Sequence, residues 1–350
     1  ETAVKTFARA KELAEADANI TTIYVIESVN ITADTAMSLD GTKAVIKRDP
    51  SFTGYLFYVK SGAVLTLSDI TIDGNGDAGV DAKESLIELS GSQSTVNIEQ
   101  GSVLKNNHID VVTQSIPMGG AIYAGERTVI NMTAGSIENN IAGHGGAVYL
   151  NQATFNMSGG TLTKNKALTS MGFSLGDDGN KPDIEPAGAG GAVILKGGSK
   201  FNMSGGSTIS YNYSDEIGGG VSVGSMAWSD GSDRFNMEGG TIDSNTSGST
   251  GAGVFVQVSF QYRTSEAYFT GGKIVNNAMT GEGRTNMAFG GGGIYINGYG
   301  DELDYFHNGK IYIKNVIIRY NNAQYHGGGI AACPVSDTSV FAKSGAAVYD

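Results

Sequence analysis

Apolar and polar residues alternate in short bursts along almost the whole chain, and the bursts repeat. "FNMSGGTLTKN" begins at Phe155, returns as "FNMSGGSTISYN" from Phe201, and again as "FNMEGGTIDSN" from Phe235. A period of two over three or four residues predicts half-buried strands, and the glycine pairs between bursts predict tight turns. Alternation points Phe155, Phe201 and Phe235 inward with Met157, Met203 and Met237, and leaves Asn156, Asn202 and Asn236 outward. A second burst follows the pattern small-x-Ile-x-x-Asn. It gives Ile137 with Asn140, Leu162 with Asn165, Ile209 with Asn212, Ile242 with Asn245, Ile274 with Asn277 and Ile318 with Asn321. Upstream, "ITIDGN" and "GSVLKN" add Asn75 and Asn106. A third burst is led by glycine: "GGAIYA", "GGAVYL", "GGAVIL", "GGGVSV", "GAGVFV", "GGGIYI" and "GGGIAA".

Three short strands per unit, no helix between them, and a coil of roughly 25 residues predict an all-β, parallel solenoid. Each unit buries its apolar face only against its neighbours, so the phrase recurs because each copy is one rung. Equivalent residues then stack about 4.8 Å apart, which predicts a buried column of the repeated Asn. The start of the chain differs. "TAVKTFARAKELAEAD" sets Val4, Phe7, Ala8 and Leu13 toward one helical face. A helix over 2–16 is expected to cap the open end, within a segment 1–40 that holds the helix and first strand; the β-helix occupies 41–350. The ending "SGAAVYD" stops inside a unit, which suggests one monomeric piece of a larger multidomain protein.

The phrasing resembles right-handed parallel β-helices of the pectate-lyase-like class. The "FNMSGGTI…N…GGGVYV" pattern is similar to repeats in large surface proteins of gut Gram-positive bacteria, among them the β-helix glycoside hydrolases of the lacto-N-biosidase type. The resemblance spans Ile23 to Asp350. It implies an extracellular, bacterial-surface setting and a carbohydrate partner. Its motifs are structural, and no catalytic residue is carried over from it.

Composition narrows the partners. Fifty-two of 350 residues are glycine, about twice the usual share, without the collagen period. The net charge is −12 with no basic cluster, which argues against nucleic acid and anionic membranes. No apolar run reaches the ~20 residues of a membrane span. The single Cys333 excludes a disulfide framework.

Function on a solenoid is expected where rungs become unequal. Long insertions follow Asn165 and Asn277, forming walls at 166–189 and 278–290. On the other side of the glycine-led strands stand "GSMAWSDGSD", "QVSFQYRTSE" and "NGYGDELDYFHNG". Between them the outward row reads Tyr123, Tyr149, Ile194, Ser222, Phe255 and Tyr295. This predicts an aromatic groove with room for a disaccharide, unless the loops fold down and bury the rings. Substrate contacts are expected from Tyr149, Ser222, Trp228, Asp230, Asp233, Phe255, Tyr262, Tyr295, Asp301 and Tyr305. Glycoside hydrolysis needs two carboxyls over such a groove, one with a raised pKa. Asp183, Asp215 and Glu216 are the catalytic candidates. No cofactor or metal is expected: the histidines form no i,i+4 pair. "DGNGDAGVDAKE" has calcium-loop spacing at Asp73, Asn75, Asp77 and Glu84, but Ala78 stands where that loop needs glycine. Two main classes remain: a glycan-active hydrolase, and a non-catalytic surface adhesin or stalk. A lyase ranks below both, because basic residues are sparse.

Overall fold

The computed structural model describes residues 3–109, 118–169, 187–225, 231–260, 263–282, 290–298, 306–333, 339–342 and 347–348. Among them the strands form four all-parallel sheets of eleven, ten, ten and seven strands and one two-stranded antiparallel pair. The chain is a right-handed parallel β-helix. Each full coil visits the sheets in the same order. A glycine-led strand such as Val148–Asn151 is followed by a Phe-Asn-Met strand such as Thr154–Met157. An isoleucine strand such as Thr161–Thr163 comes next, and then a fourth strand of two residues such as Lys166–Ala167. The first three kinds are those the alternation predicts. The fourth is too short to show a period, and only stacking on its neighbours makes it a strand.

Pairing is in register at the repeated phrase. Phe155, Phe201 and Phe235 are successive partners in neighbouring strands, as are Met157, Met203 and Met237. All six side chains are buried. The rings stack at 4.8 Å and 5.0 Å between centroids. The stack then turns edge-on at Phe269, because the next strand exchanges the two sizes: Ala267 takes the Phe position and Phe269 the Met position. Total core volume is thereby kept while the shape changes. At the turn before the glycine-led strand, Gly146 has no room for a side chain. A Cβ there would meet the carbonyl oxygen of Gly191 at 2.3 Å, so the next rung's backbone fills that space.

The predicted Asn column exists. From Asn165 to Asn321, the side-chain oxygen of each member accepts from both the backbone N–H and the Nδ2 of the Asn one rung earlier. At Asn212 and Asn245 these bonds are 3.0 and 2.9 Å, and at Asn245 and Asn277 they are 2.9 and 3.0 Å. The steps from Asn140 to Asn165, Asn212, Asn245, Asn277 and Asn321 are 25, 47, 33, 32 and 44 residues, so a regular rung absorbs unequal loops. One member is corrected. Register puts Asn107, not Asn106, in the column: Asn107 N donates to Asn140 Oδ1, whereas Asn106 takes the left-handed corner position, φ 54°. Asn75 is not a member either, since its amide donates to the Arg48 carbonyl. The free end of the column is closed by Arg48. This fully buried guanidinium donates from Nη2 to Asn107 Oδ1 at 3.0 Å and from Nη1 to the Gly54 carbonyl. Burial lowers the Arg48 pKa to about 10, opposed by the Glu84 charge.

Helix α1 runs Phe7–Ala16, with the Thr6 hydroxyl accepting from Arg9 N at its start. Its buried face is Ala10 and Ala14, with Phe7 packed against the core. Ala8 is exposed, so the face differs from the one predicted. Coil stacking begins early, because Thr22–Val25 already pairs with Val45–Arg48. No described helix is long and apolar enough to cross a membrane.

Candidate functional site

Register brings Tyr123, Tyr149, Ile194, Ser222, Phe255, Tyr295 and Ala331 into one row on the outer face of the glycine-led sheet. The row is where the alternation placed it, but it is not an open platform. Tyr149 is 5% exposed, Phe255 and Tyr295 are 1% exposed, and Ser222 is fully buried. With Ala189, Ile194, Ile217 and Cys333 they make a second apolar cluster apart from the main core. Tyr123 stacks on Tyr149 at 5.5 Å and Phe255 on Tyr295 at 5.8 Å. The Ser222 hydroxyl donates to the Gly224 carbonyl at 2.6 Å. Tyr149, Ser222, Phe255 and Tyr295, expected to contact substrate, are thus buried rather than open. Rings that bury 150–250 Å² each, at about 25 cal/mol per Å², gain more from cover than from standing in water. Burial, and then the neighbouring Cys333, push the Tyr295 hydroxyl far above its ordinary range.

The acidic candidates are also occupied. Asp215 Oδ2 accepts from the Thr169 N–H at 2.6 Å and from its hydroxyl at 2.8 Å. Burial and then the Asp215 charge push the adjacent Tyr213 hydroxyl far upward. Glu216 is 1% exposed, and its Oε2 accepts from the Ser249 hydroxyl at 2.7 Å. Asp233 is fully buried and accepts from the Gly198 and Ser199 N–H groups at 2.9 and 2.8 Å, pinning the turn of the preceding coil. Asp183, Trp228, Asp230, Tyr262, Asp301 and Tyr305 lie outside the described residues. Two of the three long loops are joined: Ser259–Phe260, at the start of one, pairs antiparallel with Phe306–His307, at the end of the next.

Three polar residues here escaped the sequence reading. His144 is buried in the bridge row Met118, His144, Ala189, Ile217, Thr250 and Gly290, and its Nδ1 accepts from Ala189 N at 3.3 Å. Burial, and then the Lys196 ammonium, push its pKa down to about 3. Lys196 Nζ donates to the Ser225 hydroxyl at 2.7 Å, and Gln257 Nε2 donates to the Ser225 carbonyl at 2.6 Å. The available signal was "VILK", where alternation turns Lys196 outward on a strand that loops later cover.

The calcium-like stretch uses its groups internally: Asp73 Oδ1 accepts from Asn75 N at 2.8 Å. Among the described residues no group of three or more His, Cys, Asp or Glu side chains converges as metal ligands would. The arrangement ties Asp215, Glu216 and Asp233 to the protein's own donors. Compared with known proteins, the chain matches no family model, no curated protein and no solved structure.

Proposed function

We propose that this chain is a non-catalytic scaffold of an extracellular bacterial surface protein, a stiff solenoid that spaces and binds. The observation that carries the reading is the sealing of the glycine-led face, with Phe255 and Tyr295 1% exposed and Asp215, Glu216 and Asp233 all engaged in hydrogen bonds to the protein. Glycoside hydrolysis requires two carboxyls open to one substrate, about 5–5.5 Å apart for retention and wider for inversion. The similarity of the "FNMSGG" phrasing to surface-protein repeats and the net charge of −12 favour the extracellular setting and a neutral partner.

The test is a turnover screen against aryl glycosides and against milk and mucin glycans. The expected result is no hydrolysis by the native chain. Hydrolysis that is abolished by Asp215→Asn or Asp183→Asn would replace the scaffold with a glycoside hydrolase.

A further inference from the structure

The isoleucine strands present an outer face that the preceding argument leaves unused. Its floor is mixed: Thr208 and Ser210 on one strand pair with Thr241 and Asp243 on the next, these with Lys273 and Val275, and these with Ile317 and Arg319. Directly after each strand comes a corner residue in the left-handed region, with φ of 57° at Tyr211, 54° at Ser244, 56° at Asn276 and 57° at Tyr320. Asn takes up this conformation more readily than Tyr, because its short polar side chain can hydrogen-bond locally. Packing does not compensate. Tyr211 and Tyr320 are 62% and 63% exposed. The coil sets this corner on each of these rungs, with φ of 54° at Asn139 and 57° at Lys164 as well, so what distinguishes Tyr211 and Tyr320 is a large ring left in water there.

The two rings stand three rungs apart, about 14 Å at the ordinary strand spacing. Between them the Ser244 hydroxyl and Asn276 Nδ2 both donate to Asp243 Oδ1, at 2.8 and 2.9 Å, which turns Oδ2 toward other donors. On the far edge of the same strands lies a trough of about 480 Å³, lined by Gly239, Gly240, Thr241, Gly272, Lys273 and Asn315. Gly240 and Gly272 have φ of 86° and 91°, and a Cβ on either would meet a backbone oxygen at 2.6 Å, so the trough is walled by bare peptide groups. Another aromatic pair on the surface is built differently. Tyr268 and Tyr312 stack face to face at 4.4 Å, so each ring covers the other. Tyr320 shares one face with the Arg319 guanidinium at 5.0 Å and keeps the other.

We infer that the strip from Tyr211 to Tyr320 is a binding site for a neutral, linear oligosaccharide. Sugar C–H faces lie on the two rings, and sugar hydroxyls meet Asp243, Asn276, Lys273 and the peptide groups of the trough. A net charge of −12 disfavours uronic or sulfated chains. This rests on the scaffold reading and adds to it a place and a ligand class.

The experiment measures binding of cellohexaose, chitohexaose and polygalacturonate by calorimetry, and of mucin before and after deglycosylation. Native protein is expected to bind at least one neutral hexaose and to bind polygalacturonate more weakly. Tyr211→Asn and Tyr320→Asn should each weaken that binding at least tenfold, while the melting temperature stays level or rises, because Asn accepts the left-handed corner. Tyr268→Ala should leave affinity unchanged. The inference falls if no neutral hexaose binds, or if the Tyr211→Asn/Tyr320→Asn double variant binds normally. It also falls if Tyr211→Asn melts earlier, which would make the ring structural. Mucin captured equally well after deglycosylation would make the strip a protein-docking surface instead. None of these results involves turnover, so they separate this site from the scaffold reading, which only hydrolysis overturns.

Discussion

Two columns of asparagine climb this solenoid, and burial makes them unequal. The inner one, Asn107 to Asn321, is closed to water for most of its length. The outer one is half-buried: Nδ2 of Asn131, Asn156, Asn202 and Asn236 each donates to Oδ1 of the Asn one rung earlier, at 3.0, 3.0, 2.8 and 2.7 Å. The columns also run opposite ways, since inner amides donate toward the C-terminal end and outer amides toward the N-terminal end. Asn245→Ala removes the acceptor of the Asn212 N–H and Nδ2 and the donor to the Ile209 carbonyl at 2.9 Å. Leaving buried groups unsatisfied costs about 1–3 kcal/mol. At Asn236 water can replace the lost partners, so Asn236→Ala is expected to cost about 0.5 kcal/mol, the ordinary surface range. Equal losses in urea unfolding of the two variants would show that the inner column carries no special weight.

At the scale of elements, the isolated part is the helix. Ten residues of α1 bury only Ala10 and Ala14 and lean Phe7 on the core, which is little apolar area for independent stability. We propose that it covers the end of the coil, since Thr22–Val25 and Val29–Ile31 are each the first strand of their sheets. Their outer edges carry unpaired peptide groups, a template for another chain. Removing residues 1–17 is expected to cause concentration-dependent association in sedimentation, with the melting temperature lowered. A truncated chain that sediments as the intact one does, and melts at the same temperature, would deny α1 the capping role.

At the scale of the whole molecule, His144 makes folding sensitive to acid. His144 is neutral in the folded state, its pKa pushed down to about 3, against about 6.5 when unfolded. Above pH 6.5 both states are neutral and the group has no effect. As pH falls from about 6.5 toward 3 the unfolded chain takes up a proton that the folded chain refuses. Stability is then lost at about 1.4 kcal/mol per pH unit, roughly 5 kcal/mol across the window. His144→Gln, which can still accept from Ala189 N, is expected to flatten the dependence of urea-unfolding stability between pH 6.5 and 4. An unchanged slope would place the acid sensitivity elsewhere.

The repeat determined most of the fold by itself. Alternation places a side chain inside or outside a strand, and a phrase repeated with the same alternation must stack on itself. Phe155, Phe201 and Phe235 could therefore be put in one column, Asn140 to Asn321 in another, and Tyr149, Phe255 and Tyr295 in a third, before any coordinates. A one-residue choice was harder: "KNN" offers Asn106 and Asn107, and only strand register, fixed by hydrogen bonds to Glu138 and its neighbours, selects Asn107. Two-residue strands such as Lys166–Ala167 carry no period to read. The functional face was decided by tertiary structure alone. Alternation says that Phe255 and Tyr295 point away from the coil, but not whether another segment lies over them. Cover depends on contacts between residues far apart in the chain, and the apolar area of those rings favours cover. The same holds for Tyr211 and Tyr320: each looks like an ordinary residue after a strand, and only the stacking of rungs reveals two exposed rings at the two ends of one strip.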